Sequence, residues 1–211
     1  MYKACIFDLD GTLTDTLESL TYSVNETLKE LKLKKITQEQ CRSFVGNGAR
    51  CLIERALVAG GDLEKSQMEP AMEIYGRIFG ENCTYHVTPY EGIPEMLKAL
   101  KDKGIQLAVL SNKPDRQTVK VVKALFDYAQ GQKEGIRRKP EPDGVWYLME
   151  QMHVSKEECL YIGDSEVDAA TGRNAGLKTI GVLWGFRDRK TLETAGVDDL
   201  IDRPDELLQF V

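Results

Sequence analysis

The chain has 211 residues, 42% of them hydrophobic and 29% charged, which suits a soluble globular protein with enough apolar material for a core. Its formal net charge of -6 leaves no basic face for a nucleic-acid backbone, so an anionic partner has to be held by a few local cations or a metal ion. No apolar stretch approaches the roughly 20 residues that span a bilayer, and the first residues lead into a strand pattern, not a signal peptide. The expectation is a cytoplasmic protein, monomer or homodimer, with neither membrane nor nucleic acid as partner.

From the amino terminus, Lys3 to Phe7 is a short apolar run ended by Asp and Gly, the pattern of a buried strand entering a turn. A long interval with helical spacing and no strand pattern follows, roughly residues 16–85. Leu17, Leu20, Val24, Leu28 and Leu31 recur on one face, then Leu52, Ile53, Ala56 and Leu57. This is too long for a simple crossover and reads as an inserted helical domain, with its exit near Val87-Thr88-Pro89. Ile93, Met96, Leu97 and Leu100 mark a helix that returns the chain to further strands at Gln106 to Leu110, Cys159 to Ile162 and Thr179 to Leu183, with a weaker one at Tyr128 to Gln130. Strands alternating with helices imply a parallel sheet covered on both faces. The expected architecture is therefore α/β, a Rossmann-like parallel sheet core over 1–15 and 86–211 with an α-helical domain over 16–85.

Cys5, Cys41, Cys51, Cys83 and Cys159 form no CxxC pair, and only His86 and His153 are available to join them, so no zinc site is expected. They read as free thiols in a reducing compartment.

The polar residues at strand ends carry the chemistry. Phe7-Asp8-Leu9-Asp10-Gly11-Thr12 sets two carboxylates two residues apart where a strand stops, so both can face the crevice at its carboxyl edge. Leu110-Ser111-Asn112 ends the second strand with a hydroxyl and an amide, suited to phosphoryl oxygens. Arg138-Lys139-Pro140-Glu141-Pro142 adds a cation beside prolines, with Lys133 and Lys113 as rivals for the same duty. Ile162-Gly163-Asp164-Ser165-Glu166-Val167-Asp168 brings two more acids, spaced to share a helix face. Asp8, Asp10 and Asp164 can supply the few hard oxygens that Mg2+ favours, while Asp168 supports the site from behind.

Taken in order, these four segments resemble the signatures of the haloacid dehalogenase superfamily, specifically its phosphatases with a helical cap, over nearly the whole chain. The resemblance implies that Asp8 attacks phosphorus, Asp10 handles the leaving-group proton, Ser111 and Lys139 hold the phosphoryl group, and Asp164 binds magnesium. Asp10 is implied to bind the ion through its backbone carbonyl. Asp10 argues against dehalogenases and phosphonate-cleaving relatives, which lack it. Thr12 tips the balance away from sugar-phosphate mutases of the β-phosphoglucomutase kind, which usually carry Val or Ile there. Phe44-Val45-Gly46-Asn47-Gly48 with Leu52 to Leu57, and Trp184-Gly185-Phe186-Arg187, look like segments of phosphoglycolate phosphatases. Thr12, Asn112, Asn47 and Arg50 are the candidate substrate contacts, the glycine loop meeting a small carboxylate at a helix start. Trp184 and Phe186 read as packing. The expected activity is magnesium-dependent hydrolysis of a small anionic phosphate monoester, phosphoglycolate first, with a mutase, pyrophosphatase or nucleotidase as alternatives.

Overall fold

The computed structural model describes residues 1–122 and 126–211. They divide into two compact units, one built from Met1–Asp15 and Pro89–Val211, the other from Thr16–Thr88.

In the first unit β1 (Ala4–Phe7) is central, because its residues are apolar without interruption and fully covered on both faces. The chain leaves through β2 (Thr14–Asp15) and returns through β3 (Thr88–Pro89) and α5 (Ile93–Asp102), the helix whose Ile93, Met96, Leu97 and Leu100 were expected to be buried and are. There follow β4 (Gln106–Pro114), α6 (Asp115–Val122), β5 (Tyr128–Gln132), α7 (Asp143–Met152), β6 (Cys159–Gly163), α8 (Glu166–Ala175), β7 (Lys178–Val182), α9 (Arg189–Ala195) and β8 (Asp199–Ile201), then a 3-10 turn at Pro204–Gln209. The six long-range strands pair in parallel in the order β5-β4-β1-β6-β7-β8. This is the parallel sheet expected from the alternation. Two of its details were not: β4 runs four residues further than Leu110, through an irregularity between Leu110 and Pro114, and β8 was missed.

Side-chain alternation splits the core in two. Cys5, Phe7, Leu107, Val109, Leu160 and Ile162 point to the face covered by α5 and the carboxyl-terminal turn. Ala4, Ile6, Ala108, Leu110, Cys159 and Tyr161 point to the face covered by α7. Strand order places the functional edge: β1 is flanked by β4 and β6, with Phe7 level with both Val109 and Ile162. The residues that follow Phe7, Val109 and Ile162 along the chain therefore meet at the point where the chain order reverses, the place where open α/β sheets hold ligands.

The second unit is α-helical: α1 (Leu17–Glu30), α2 (Gln38–Phe44), α3 (Gly48–Gly60) and α4 (Met68–Asn82). Leu52, Ile53, Ala56 and Leu57 form the buried stripe of α3, and Tyr75 stacks on Phe79 at 5.2 Å within α4. Leu31, counted in the first helical pattern, lies just past the end of α1. Among the described residues no helix is long and apolar enough to cross a membrane.

Candidate active site

Asp8 is the first residue beyond β1, its amide still donating to the Ile162 carbonyl at 2.8 Å as if the strand continued. It is 8% exposed, and its Oδ1 lies 2.7 Å from Lys139 Nζ. Three residues on, the chain reverses at Gly11, where φ is +90° and an added Cβ would run into the Asp164 carboxylate, so both backbone and space require glycine.

Lys139 is 3% exposed and its ammonium bridges two acids, Asp8 and Asp168, at 2.7 Å each. Its backbone is fixed from β4: the Asn112 amide donates to the Lys139 carbonyl at 3.0 Å, and the Lys139 N–H donates to Asn112 Oδ1 at 2.9 Å. Asn112, expected to contact substrate, thus has its side-chain amide holding the lysine backbone through both its nitrogen and its oxygen. The rivals have other places. Lys133 lies over the Tyr147 ring at 4.8 Å, and Lys113 pairs with Asp10 at 2.6 Å, both side chains largely buried. Ser111 sits beside them, its Oγ accepting from the Lys113 N–H at 3.1 Å.

Asp168 is saturated. Oδ1 accepts from Lys139 and from the Tyr161 hydroxyl at 3.0 Å, and Oδ2 from the Ser165 N–H at 3.2 Å and hydroxyl at 2.5 Å. The Ser165 contacts are also the capping box that opens α8, so the start of this helix and the site share one carboxylate. Gly163 is close-packed for the same reason, since an added Cβ there would meet the Asp168 side chain.

Asp164, 1% exposed, accepts from the Phe186 N–H at 2.6 Å on Oδ2 and from the Thr12 hydroxyl at 3.3 Å on Oδ1. Thr12, expected to touch substrate, is itself 1% exposed and oriented toward Asp164. The Trp184 indole N–H donates to the Thr12 carbonyl at 2.9 Å, and Gly185 leaves no room for a Cβ between Asp164 and the Gly11 carbonyl. Packing alone therefore understates this loop: it brings two donors to the acidic turn, one to Asp164 and one to Thr12. The tight glycine between two aromatics was the available signal.

Asn47 and Arg50 belong to the helical unit. Asn47 is the N-cap of α3 without a side-chain cap bond, and Arg50 pairs with Glu69 at 2.8 Å on an exposed surface. Arg50, expected to contact substrate, is thus placed in a solvent-exposed ion pair, an interaction that contributes little energy.

One oxygen each from Asp8, Asp164 and Asp168 lies within 4.8 Å of the others, all three residues buried. Burial pushes the Asp8 carboxyl well above the usual carboxylate range, helped by the charge of Asp168 and opposed by Lys139. Burial likewise lifts Asp164 to about 7, again with Asp168 adding and the Phe186 N–H opposing. Burial pulls Lys139 down, but the charges of Asp168 and Asp8 outweigh it and leave the ammonium firmly protonated. Buried acids that resist losing their protons are a set suited to a hard divalent cation. Because Asp168 already accepts four hydrogen bonds, Asp8 and Asp164 are the members with capacity left, and the Asp10 carboxylate is turned to Lys113.

The chain as a whole resembles known proteins in sequence and in fold. Residues 5–182 match the model of the family described as haloacid dehalogenase-like hydrolase. The phosphoglycolate phosphatase of Aquifex aeolicus is 32% identical over 214 residues, covering 99% of this chain and 96% of the relative. That of Haemophilus influenzae is 32% identical over 220 residues, covering 100% and 98%. A solved structure from Lactobacillus delbrueckii subsp. bulgaricus superimposes with a TM-score of 0.93 at 33% identity, covering 99% of this chain and 98% of that one. With the parallel sheet, the acidic turn after β1 and this full-length similarity in hand, the chain belongs to the haloacid dehalogenase-like hydrolase family.

Proposed function

We propose that the protein is a magnesium-dependent phosphatase that hydrolyses a small phosphate monoester through an aspartyl-phosphate on Asp8, with phosphoglycolate as its substrate. The observation that carries this reading is the buried Asp8 carboxylate held 2.7 Å from Lys139 at the reversal point of the sheet, with a carboxylate oxygen of Asp164 within 4.8 Å. The substrate assignment rests on the full-length similarity to phosphoglycolate phosphatases.

An ionised Asp8 oxygen attacks phosphorus and the bond from phosphorus to the ester oxygen breaks, with Asp10, entering the step protonated and turned from Lys113, giving that oxygen its proton. Water then attacks the aspartyl-phosphate, Asp10 takes the water's proton, and phosphate leaves with Asp8 restored. Lys139 offsets charge on the transferring oxygens, Ser111 donates to one of them, and Asp168 holds Lys139 in place. Asp8 and Asp164, with the Asp10 carbonyl, would hold Mg2+, which supplies positive charge to the phosphoryl group when bound. Five free cysteines, four of them buried, suit a reducing cytoplasm.

The test is phosphate release from a panel of phosphoglycolate, sugar phosphates, nucleotides and pyrophosphate, with and without magnesium. Magnesium-dependent release, fastest from phosphoglycolate, is expected. Conversion of glucose 1-phosphate to the 6-phosphate without release of phosphate would overturn the assignment.

A further inference from the structure

Tyr161 lies on the face of β6 turned toward α7, among Ala4, Ile6, Ala108 and Val145, and is fully buried. A phenylalanine would serve that packing, and would avoid placing a hydroxyl in an apolar layer. The hydroxyl is there, and it donates to Asp168 Oδ1 at 3.0 Å, the same oxygen that takes the Lys139 ammonium at 2.7 Å. The ammonium in turn lies 2.7 Å from Asp8. Tyr161 lies on β6 three residues before Asp164, which follows the end of that strand.

We propose that Tyr161 is a positioning residue for the transfer, its hydroxyl setting how the Lys139 ammonium is divided between Asp168 and Asp8. The argument is one of competition for charge. A carboxylate oxygen with a second donor gives less of its negative charge to the first, so the Tyr161 bond weakens the hold of Asp168 on Lys139 and leaves the ammonium shared with Asp8. Without it, Asp168 Oδ1 keeps one donor and draws the ammonium to itself, away from Asp8 and the phosphoryl oxygens. Oδ2 cannot compensate, because its two Ser165 donors already fix the carboxylate from the other side. The proposal rests on the phosphatase reading of Asp8 and Lys139.

The experiment is Y161F, assayed for hydrolysis of p-nitrophenyl phosphate with magnesium, for inhibition by orthovanadate and for thermal unfolding. Losing a hydrogen bond to a charged group should lower kcat/KM roughly tenfold and weaken orthovanadate by a similar factor. The expected melting temperature stays within a few degrees of wild type, since the ring is kept. In a D168N background, where the charge that competes for Lys139 is gone, Y161F should change kcat/KM by less than about twofold. A Y161F enzyme with wild-type kcat/KM, or one that loses the same factor in both backgrounds, overturns the proposal. Should Y161F fail to fold, 3-fluorotyrosine placed at 161 alone keeps the hydroxyl but makes it a stronger donor to Asp168; a change in kcat/KM and in orthovanadate inhibition is then expected, and wild-type values of both overturn the positioning role. An inactive wild type would instead overturn the phosphatase reading, so the two failures are distinguishable.

Discussion

The Lys139 ammonium stands 2.7 Å from Asp8 Oδ1, with both residues more than nine-tenths buried, so the site places a permanent cation against the carboxylate assigned as nucleophile. The same ammonium is the counter-charge of Asp168. Removing it leaves two buried acids facing each other.

K139M should therefore fail twice. Loss of the cation proposed to stabilise the transferring phosphoryl group is expected to lower kcat by about 100- to 1,000-fold, as for removal of one preorganised donor. Leaving Asp8 and Asp168 without their partner should also cost about 3 kcal/mol of stability, the scale of breaking a buried ion pair. Denaturant unfolding at two pH values checks the second effect: the deficit should shrink on acidification, because protonating either acid relieves the repulsion.

The metal-free protein carries a stability cost at Asp164. Its carboxyl is raised from an aspartate's ordinary 3.8 to about 7, so between those values the folded state binds more protons than the unfolded one. Stability from this group is accordingly full below the lower value and declines as pH rises through the upper one. Thermal unfolding after chelation should show this decline between about pH 4 and pH 7, and added Mg2+ should raise the melting temperature more at pH 7.5 than at pH 5.

Gly185 gives a separate handle on the same acid. A methyl group there would be forced onto the Asp164 side chain and the Gly11 carbonyl, displacing the carboxylate from the Phe186 N–H. G185A is expected to weaken Mg2+ binding by at least tenfold, in the range seen when groups that orient a metal ligand are disturbed. Titration calorimetry with Mg2+ alone reads this without any assay of turnover.

Much of this site was legible because its residues sit at strand ends that announce themselves. Asp8, Ser111 and Asp164 each follow an apolar run stopped by a polar residue or glycine, and the parallel alternation implied that such ends share one edge. Residue types alone left Lys133 a rival of Lys139, and only the family resemblance chose between them, because the clamp on Lys139 is Asn112 reaching across from β4, a contact between residues 27 apart in sequence. β8 escaped for a different reason: Asp199-Leu200-Ile201 is a three-residue edge strand with one fully buried side chain, too short to show a period. The Phe186 donor was hidden because it is a backbone N–H, which any sequence carries.

The four buried thiols should be unreactive in the native protein. Burial raises Cys159 to about 12 and Cys41 to about 11, and lifts Cys5 further, while Cys83 is also buried. Titration of the native protein with Ellman's reagent near neutral pH should modify Cys51 first, with the remaining four of the five reacting only on unfolding.

The central claim is that Asp8 carries the phosphoryl group, and the most direct measurement is to trap it. Acid quenching during turnover of phosphoglycolate, followed by borohydride reduction, converts an aspartyl-phosphate into homoserine that peptide mass spectrometry can place. Homoserine at position 8 in the wild type, and its absence together with loss of phosphate release in D8N, is the expected result. Turnover with homoserine at another position, or release that survives in D8N, would contradict the account.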